Sequence, residues 1–214
     1  MTAQKWPAMR RSLVAILRGI KPDEILPALD VLIEAGFTAI EVPLNSPDPF
    51  RSIEQAAGKV PEGCLIGAGT VLSVKDVDRL NDAGGRLLVS PNVVPAVIEK
   101  AGRYGMVSMP GVMTPTEAFT ALDAGASALK FFPTSVLGAK GVAAIKAVLP
   151  AGTETGAVGG VSEQNFAEYA AIGVRIFGLG SSLYKPGMTP AEIGIRARAA
   201  VEAYDRLCGD AKSP

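Results

Sequence analysis

No histidine occurs among the 214 residues, and cysteine appears only at Cys64 and Cys208. The first absence removes imidazole as a zinc ligand and as the base of a Ser-His or Cys-His nucleophile pair. Acid-base work therefore falls to carboxylates, lysines, tyrosines or water. The two cysteines are far apart and make no CxxC pair, which fits a reducing compartment and points to a cytoplasmic protein. Neither sign of charge is in excess: Lys and Arg number 21, Asp and Glu 21, and the isoelectric point is about 6.4. With no long run of either sign, nucleic acid is not the expected partner and a small molecule is favoured. Long apolar runs are missing too. Hydrophobic residues make up 48% of the chain, but 24 glycines and 16 prolines interrupt every stretch short of the ~20 residues of a membrane span, so no membrane partner is expected. The basic N-terminus precedes an apolar run that Arg18 ends, and no small-residue cleavage site follows, so a secretory leader is not expected.

What the chain has instead is an alternation of short β-type runs and helix-type segments. The strand candidates are LVAILR (13 to 18), AIEVPL (39 to 44), CLIGAGTV (64 to 71), LLVSP (87 to 91), VSMPG (107 to 111), ALKFFP (128 to 133), TGAVGG (155 to 160) and IFGLG (176 to 180). Most are continuously apolar, as in strands of a parallel sheet covered on both faces. Between them lie periodic segments such as DEILPALDVLIEAG, SVKDVDRLNDAG, TPTEAFTALDAG and SEQNFAEYAAIG. Several open on a capping residue and close on glycine, as helices do. Eight strands alternating with about eight helices predict a (β/α)₈ TIM barrel, one domain over residues 1–214 with its core at about 12–208. A doubly wound open sheet uses the same unit, but it rarely needs eight strands, and no GxGxxG follows the first. Residues before about 12 read as an extra N-terminal segment, a short helix closing the barrel bottom, and those after 208 as a polar tail.

In such a barrel the chemistry lies where strands end, so polar residues there are the candidates. Lys130 stands inside the apolar run ALKFFP. Burial disfavours its ammonium form and lowers the pKa, freeing a lone pair for attack on a carbonyl. The structural alternative has Lys130 pointing outward between helices with its amine reaching water. The lysines at 75, 100, 140, 146 and 185 fall in helix or loop text and read as solvated. Glu41 is a second charge inside an apolar strand, suited to proton shuttling beside a lysine, or simply to a salt bridge with Lys130 or Arg18. Arg18 offers a planar fork for a carboxylate, or a salt bridge to Glu41. Thr70 could add a hydroxyl to the same anion or cap the next helix. Pro91 ends the fourth run. The seventh and eighth runs end in Gly159, Gly160, Gly180 and Ser181, where small residues let backbone N–H groups approach a phosphate.

Taken in order, AILRGI, GFTAIEVPLNSP, IGAGTV, SPN, PGVMTPTEA, ALKFFP, AVGGV and GLGSSLY span about residues 13 to 184. This set resembles the class I 2-keto-3-deoxy-6-phosphogluconate and 6-phosphogalactonate aldolases. The resemblance implies retro-aldol cleavage of a phosphorylated keto acid to pyruvate and glyceraldehyde 3-phosphate. It implies Lys130 as the Schiff-base lysine and Glu41 as the general acid/base acting through water. Arg18 and Thr70 would hold the substrate carboxylate region, Phe132 would wall the pyruvate pocket, and Gly159, Gly160, Gly180 and Ser181 would cradle phosphate. Neither metal nor cofactor is implied, because the protonated imine is the electron sink. The gluconate-type enzymes carry threonine just before the Gly-Gly pair, and Val158 here resembles the galactonate branch. Homotrimeric assembly and a place in galactonate breakdown are further implications. Two rivals remain from the residues alone: a phosphosugar-binding barrel in which Lys130 and Glu41 form an inert ion pair, and an isomerase or epimerase using Glu41 as base.

Overall fold

The computed structural model describes residues 4–210. Its strands are β1 (Leu13–Ile16), β2 (Ala39–Pro43), β3 (Leu65–Gly69), β4 (Leu87–Val89), β5 (Val107–Met109), β6 (Gly111–Val112), β7 (Leu129–Phe131), β8 (Thr155–Val158) and β9 (Ile176–Leu179). The helices are α1 (Ile25–Ala35), α2 (Pro49–Ala57), α3 (Val74–Asp82), α4 (Pro95–Arg103), α5 (Pro115–Asp123), α6 (Thr134–Lys146), α7 (Phe166–Ala171) and α8 (Pro190–Asp210). Every strand pairing is parallel, in the order β5-β4-β3-β2-β1-β9-β8-β7-β6. Each of the eight expected runs forms strand, and the fifth is split in two. Pro110 has no N–H to give to the ladder, so pairing breaks there. The Val107–Met109 half pairs with β4 and the Gly111–Val112 half with β7. The Lys130 N–H donates to the Pro110 carbonyl at 2.9 Å and the Ala128 N–H to that of Ser108 at 3.1 Å, which closes the barrel through the break. The outcome is the TIM-type barrel.

Alternation along the strands sorts the apolar residues into two cores. The larger lies between strands and helices and includes Ala15, Ile40, Leu88, Leu129, Phe131 and Phe177. The smaller fills the barrel interior with Val14, Ile16, Ala39, Leu87, Val89, Val107, Met109, Ala128, Val158 and Ile176. The N-terminal segment does close the barrel, but not as a helix. Described residues before β1 are irregular, and Trp6, with 8% of its surface exposed, packs with Met9 into the interior core. A single indole fills the space for which a helix was expected. Around the outside, α8 packs on α1 and completes the helical ring. Arg11 fixes this seam by donating from Nε and Nη2 to the two carboxylate oxygens of Asp205, at 2.7 and 2.6 Å. The anticipated polar tail falls partly on the end of α8, and its last residues lie outside the described ones. No helix among the described residues is long and apolar enough to cross a membrane.

The helix starts follow their capping chemistry. Ser73 accepts from the Asp76 N–H ahead of α3, and Thr114 with Glu117 forms a reciprocal capping box ahead of α5. These caps fix where each loop ends. They thereby fix how much chain is left at the strand C-termini to build a mouth.

Candidate active site

Period-two alternation decides which way the central charges face. Lys130 shares its parity with Ala128 of the interior core and with Phe132, which packs against it, and Glu41 with Ala39 of the same core. Both charged side chains therefore project into the barrel, and the outward placement of Lys130 is excluded. Lys130 is 6% exposed and Glu41 2%. They meet in a cavity of about 720 Å³ at the strand C-termini, lined also by Arg18, Phe132, Val158, Gly159, Gly160, Gly180 and Ser181. That volume is in the range of a small-ligand site.

Glycine makes room for the acid. A Cβ at Gly69 would lie 1.6 Å from Glu41 Oε2, so the carboxyl reaches across β3 through space that any other residue would fill. Its Oε2 is buried with no hydrogen-bond partner among the described residues. Burial pushes the Glu41 pKa up to about 7, against the opposing pull of the Lys130 and Arg18 charges. For Lys130, burial pulls the pKa below the ordinary lysine value; Glu41 resists this, and the Arg18 charge adds to it. The Lys130 amine sits 4.5 Å from the centroid of the Phe132 ring. No ion pair within 4.0 Å joins Lys130 to an acid among the described residues. The pair is thus not a closed salt bridge. It is an amine and a carboxyl that both hold their neutral forms more readily than in water.

Arg18 occupies the turn after β1, exposed at the mouth. The alternative salt bridge to Glu41 does not form among the described residues. The Arg18 Nη1 donates instead to Asn45 Oδ1 at 2.5 Å. At the end of β8 Gly159 and Gly160 adopt φ of 89° and 87°, a left-handed region that favours glycine. The Asn165 amide donates to the Gly160 carbonyl at 2.9 Å, and Ser182 Oγ to that of Val161 at 2.9 Å, which ties the two loops together. The backbone N–H groups of Gly160, Val161, Ser181 and Ser182 have no partner among the described residues. That leaves four donors for an anion at this wall.

Two expected residues are not brought to the cavity. Thr70 has φ of 58°, unusual for a β-branched residue, and turns the chain off the end of β3 toward a shallow depression shared with Asn45 and Arg79. Pro91 packs under β6, where a Cβ on Gly111 would lie 2.4 Å from its carbonyl oxygen. Conversely, the cavity wall contains Tyr184, Lys185 and Pro186, which sequence reasoning left out. By sequence Lys185 is a solvated loop lysine. It is exposed, yet it faces the mouth.

The family description of KDPG and KHG aldolases matches residues 8–193. The chain belongs to that family. Among KDPG and KHG aldolase relatives, a probable 2-dehydro-3-deoxy-6-phosphogalactonate aldolase of Rhizobium meliloti (strain 1021) is 65% identical over 203 residues, covering 95% of this chain and 96% of that one. The 2-dehydro-3-deoxy-6-phosphogalactonate aldolase of Escherichia coli (strain K12) is 48% identical over 192 residues, covering 90% and 94%. A solved structure described as native KDPGal superposes with a TM-score of 0.93 at 45% identity, covering 96% of this chain and 99% of that one. The chain is thus an aldolase of the KDPG and KHG family, a carbon–carbon lyase, on the barrel that its own sequence predicts.

Proposed function

We propose that this aldolase cleaves 2-keto-3-deoxy-6-phosphogalactonate to pyruvate and D-glyceraldehyde 3-phosphate through an imine on Lys130. The observation that carries the reading is the buried Lys130 amine, free of any ion pair among the described residues, in one cavity with a Glu41 carboxyl whose pKa is raised to about 7. The neutral amine attacks the C2 ketone, and loss of water leaves a protonated imine. Glu41 accepts the proton of the C4 hydroxyl as the C3–C4 bond breaks, and the electron pair of that bond moves into the imine as an enamine. The aldehyde leaves. A proton returned to C3 and addition of water release pyruvate and restore the amine, so atoms and charge balance over the cycle. A carboxyl poised near 7 suits a group that must both take and give a proton near neutrality. In this reading Arg18, held by Asn45, takes the substrate carboxylate, Phe132 walls the methyl side of pyruvate, and the amides beyond Val158 and Leu179 take the phosphate. The family resemblance supports a homotrimer in the cytoplasm as the working unit.

Val158 supports the galactonate epimer. It is buried, lines the cavity and packs over the inward face of β9, where a Cβ on Gly178 would lie 2.6 Å from Val158 Cγ2. An apolar branch there offers no hydrogen bond to a C4 hydroxyl. Val158→Thr, of nearly equal volume, is expected to move the ratio of kcat/KM for the two C4 epimers about tenfold toward the gluconate form, on the scale of one hydrogen bond. Turnover of both epimers by the parent and the variant tests this. Preference for the gluconate epimer in the parent would reverse the substrate assignment, and an unmoved ratio would remove Val158 as the selector.

A further inference from the structure

We infer that Lys185 is a binding residue for the phosphate end of the substrate and sets the preference for phosphorylated over unphosphorylated keto acids. The inference rests on the aldolase reading of the same cavity. Lys185 follows β9 on the chain segment that also supplies Gly180, Ser181 and Ser182, and all of these line the cavity. The segment is held at its Lys185 end. The Lys185 N–H donates to Met188 Sδ at 3.2 Å, and Pro186 packs so closely on the turn bearing Arg18 that a Cβ on Gly19 would lie 2.7 Å from Pro186 Cγ. Two basic residues therefore line adjoining parts of one mouth, Arg18 on the loop after β1 and Lys185 on the loop after its neighbour β9. Lys185 has no acid within 4.0 Å among the described residues, so its charge is not already neutralised.

Charge counting favours the phosphate role. The cavity lining contains three basic residues, Arg18, Lys130 and Lys185, against one acid, Glu41. The proposed substrate brings a carboxylate and a phosphate that is mostly dianionic at neutral pH. Backbone N–H groups of Gly160, Val161, Ser181 and Ser182 supply hydrogen bonds to phosphate oxygens but no full positive charge. Lys130 is consumed as the nucleophile, and Arg18 is held on the Asn45 side. Lys185 is the remaining full charge beside the glycine and serine loops. A lysine acts there as a mobile point charge, satisfied by any oxygen of a rotating phosphate, and its exposure lets it meet the substrate during entry.

The test is the ratio of kcat/KM for the phosphorylated keto acid to that for its unphosphorylated counterpart, measured for the parent, Lys185→Gln and Lys185→Arg. Lys185→Gln is expected to lower this ratio about tenfold, mainly through KM for the phosphorylated compound, the scale of one charge-assisted hydrogen bond. Lys185→Arg is expected to keep most of the ratio. A ratio in Lys185→Gln within twofold of the parent would overturn the inference, as would equal losses on both substrates. Mass spectrometry of the parent after pyruvate and borohydride separates the two levels of the argument. An adduct on Lys130 together with an unmoved ratio overturns the role of Lys185 alone. No adduct overturns the aldolase reading and the inference with it.

Discussion

Lys130→Met is expected to lower kcat/KM for the phosphorylated keto acid by at least about 10⁴-fold, the scale on which loss of a covalent nucleophile is felt, while the barrel stays folded. Methionine keeps the length and volume of the side chain and removes the amine. The stability readout carries the physical content. Burial lowers the Lys130 pKa in the folded chain, so the unfolded chain binds the extra proton between that lowered value and the ordinary lysine value. The parent consequently gains stability as pH rises through that window and bears the full penalty of the buried charge below it. Lys130→Met removes the penalty, so its thermal midpoint should exceed that of the parent at pH 5 to 6, where Glu41 holds its proton, and the gain should shrink toward pH 10. Thermal unfolding across pH measures it. A midpoint that falls at pH 5 to 6 would mean that the amine stabilises the barrel, and the desolvated amine invoked for catalysis would be gone.

Glu41→Gln should reduce kcat by about 10² to 10⁴, the range supplied by a positioned acid/base. It should also alter the dependence of stability on pH in the opposite sense to Lys130→Met. The Glu41 pKa rises from 4.5 to about 7 on folding, so the folded chain binds more protons across that interval. The contribution of Glu41 to stability falls as pH rises through it, by of order 3 kcal/mol in all, and stays at its lowest above about 7. Glutamine is neutral throughout. The variant should match the parent near pH 4.5 and exceed it near pH 8, as denaturant melts at the two pH values would report. Equal stabilities at pH 8 would show that Glu41 carries no penalty for its charge in the fold, and its poise near neutrality would then lack a physical basis.

The parts of this architecture that depend on local pattern were legible in the chain. Eight apolar runs with capped helices between them predict the barrel, and all eight form strand. Lys130 and Glu41 stand out because each is a charge inside such a run, and strand parity alone sends both to the interior. Gly159, Gly160, Gly180 and Ser181 follow from the habit of barrels to bind anions after their last strands. What was not legible depends on contacts distant in sequence. Trp6 fills the barrel bottom as a single side chain because a hole of that size exists only once eight strands have closed around it. Asn45 holds Arg18 across two loops. Lys185 reads as one more loop lysine, and its place in the cavity lining depends on how the loop after β9 folds beside the Gly19 turn. Thr70 and Pro91 sit at strand ends, yet neither is among the residues that line the cavity. Strand position is written in residue alternation, whereas the aim of a loop is set by what it rests against.

The central claim is that the amine at position 130 is neutral enough and reachable enough to capture a ketone. Incubating the intact protein with pyruvate and borohydride, then locating the mass change by peptide mapping, tests it most directly. The account predicts one reduced pyruvate adduct per chain, carried on Lys130 and abolished by Lys130→Met. An unmodified Lys130, or an adduct confined to other lysines, would contradict it.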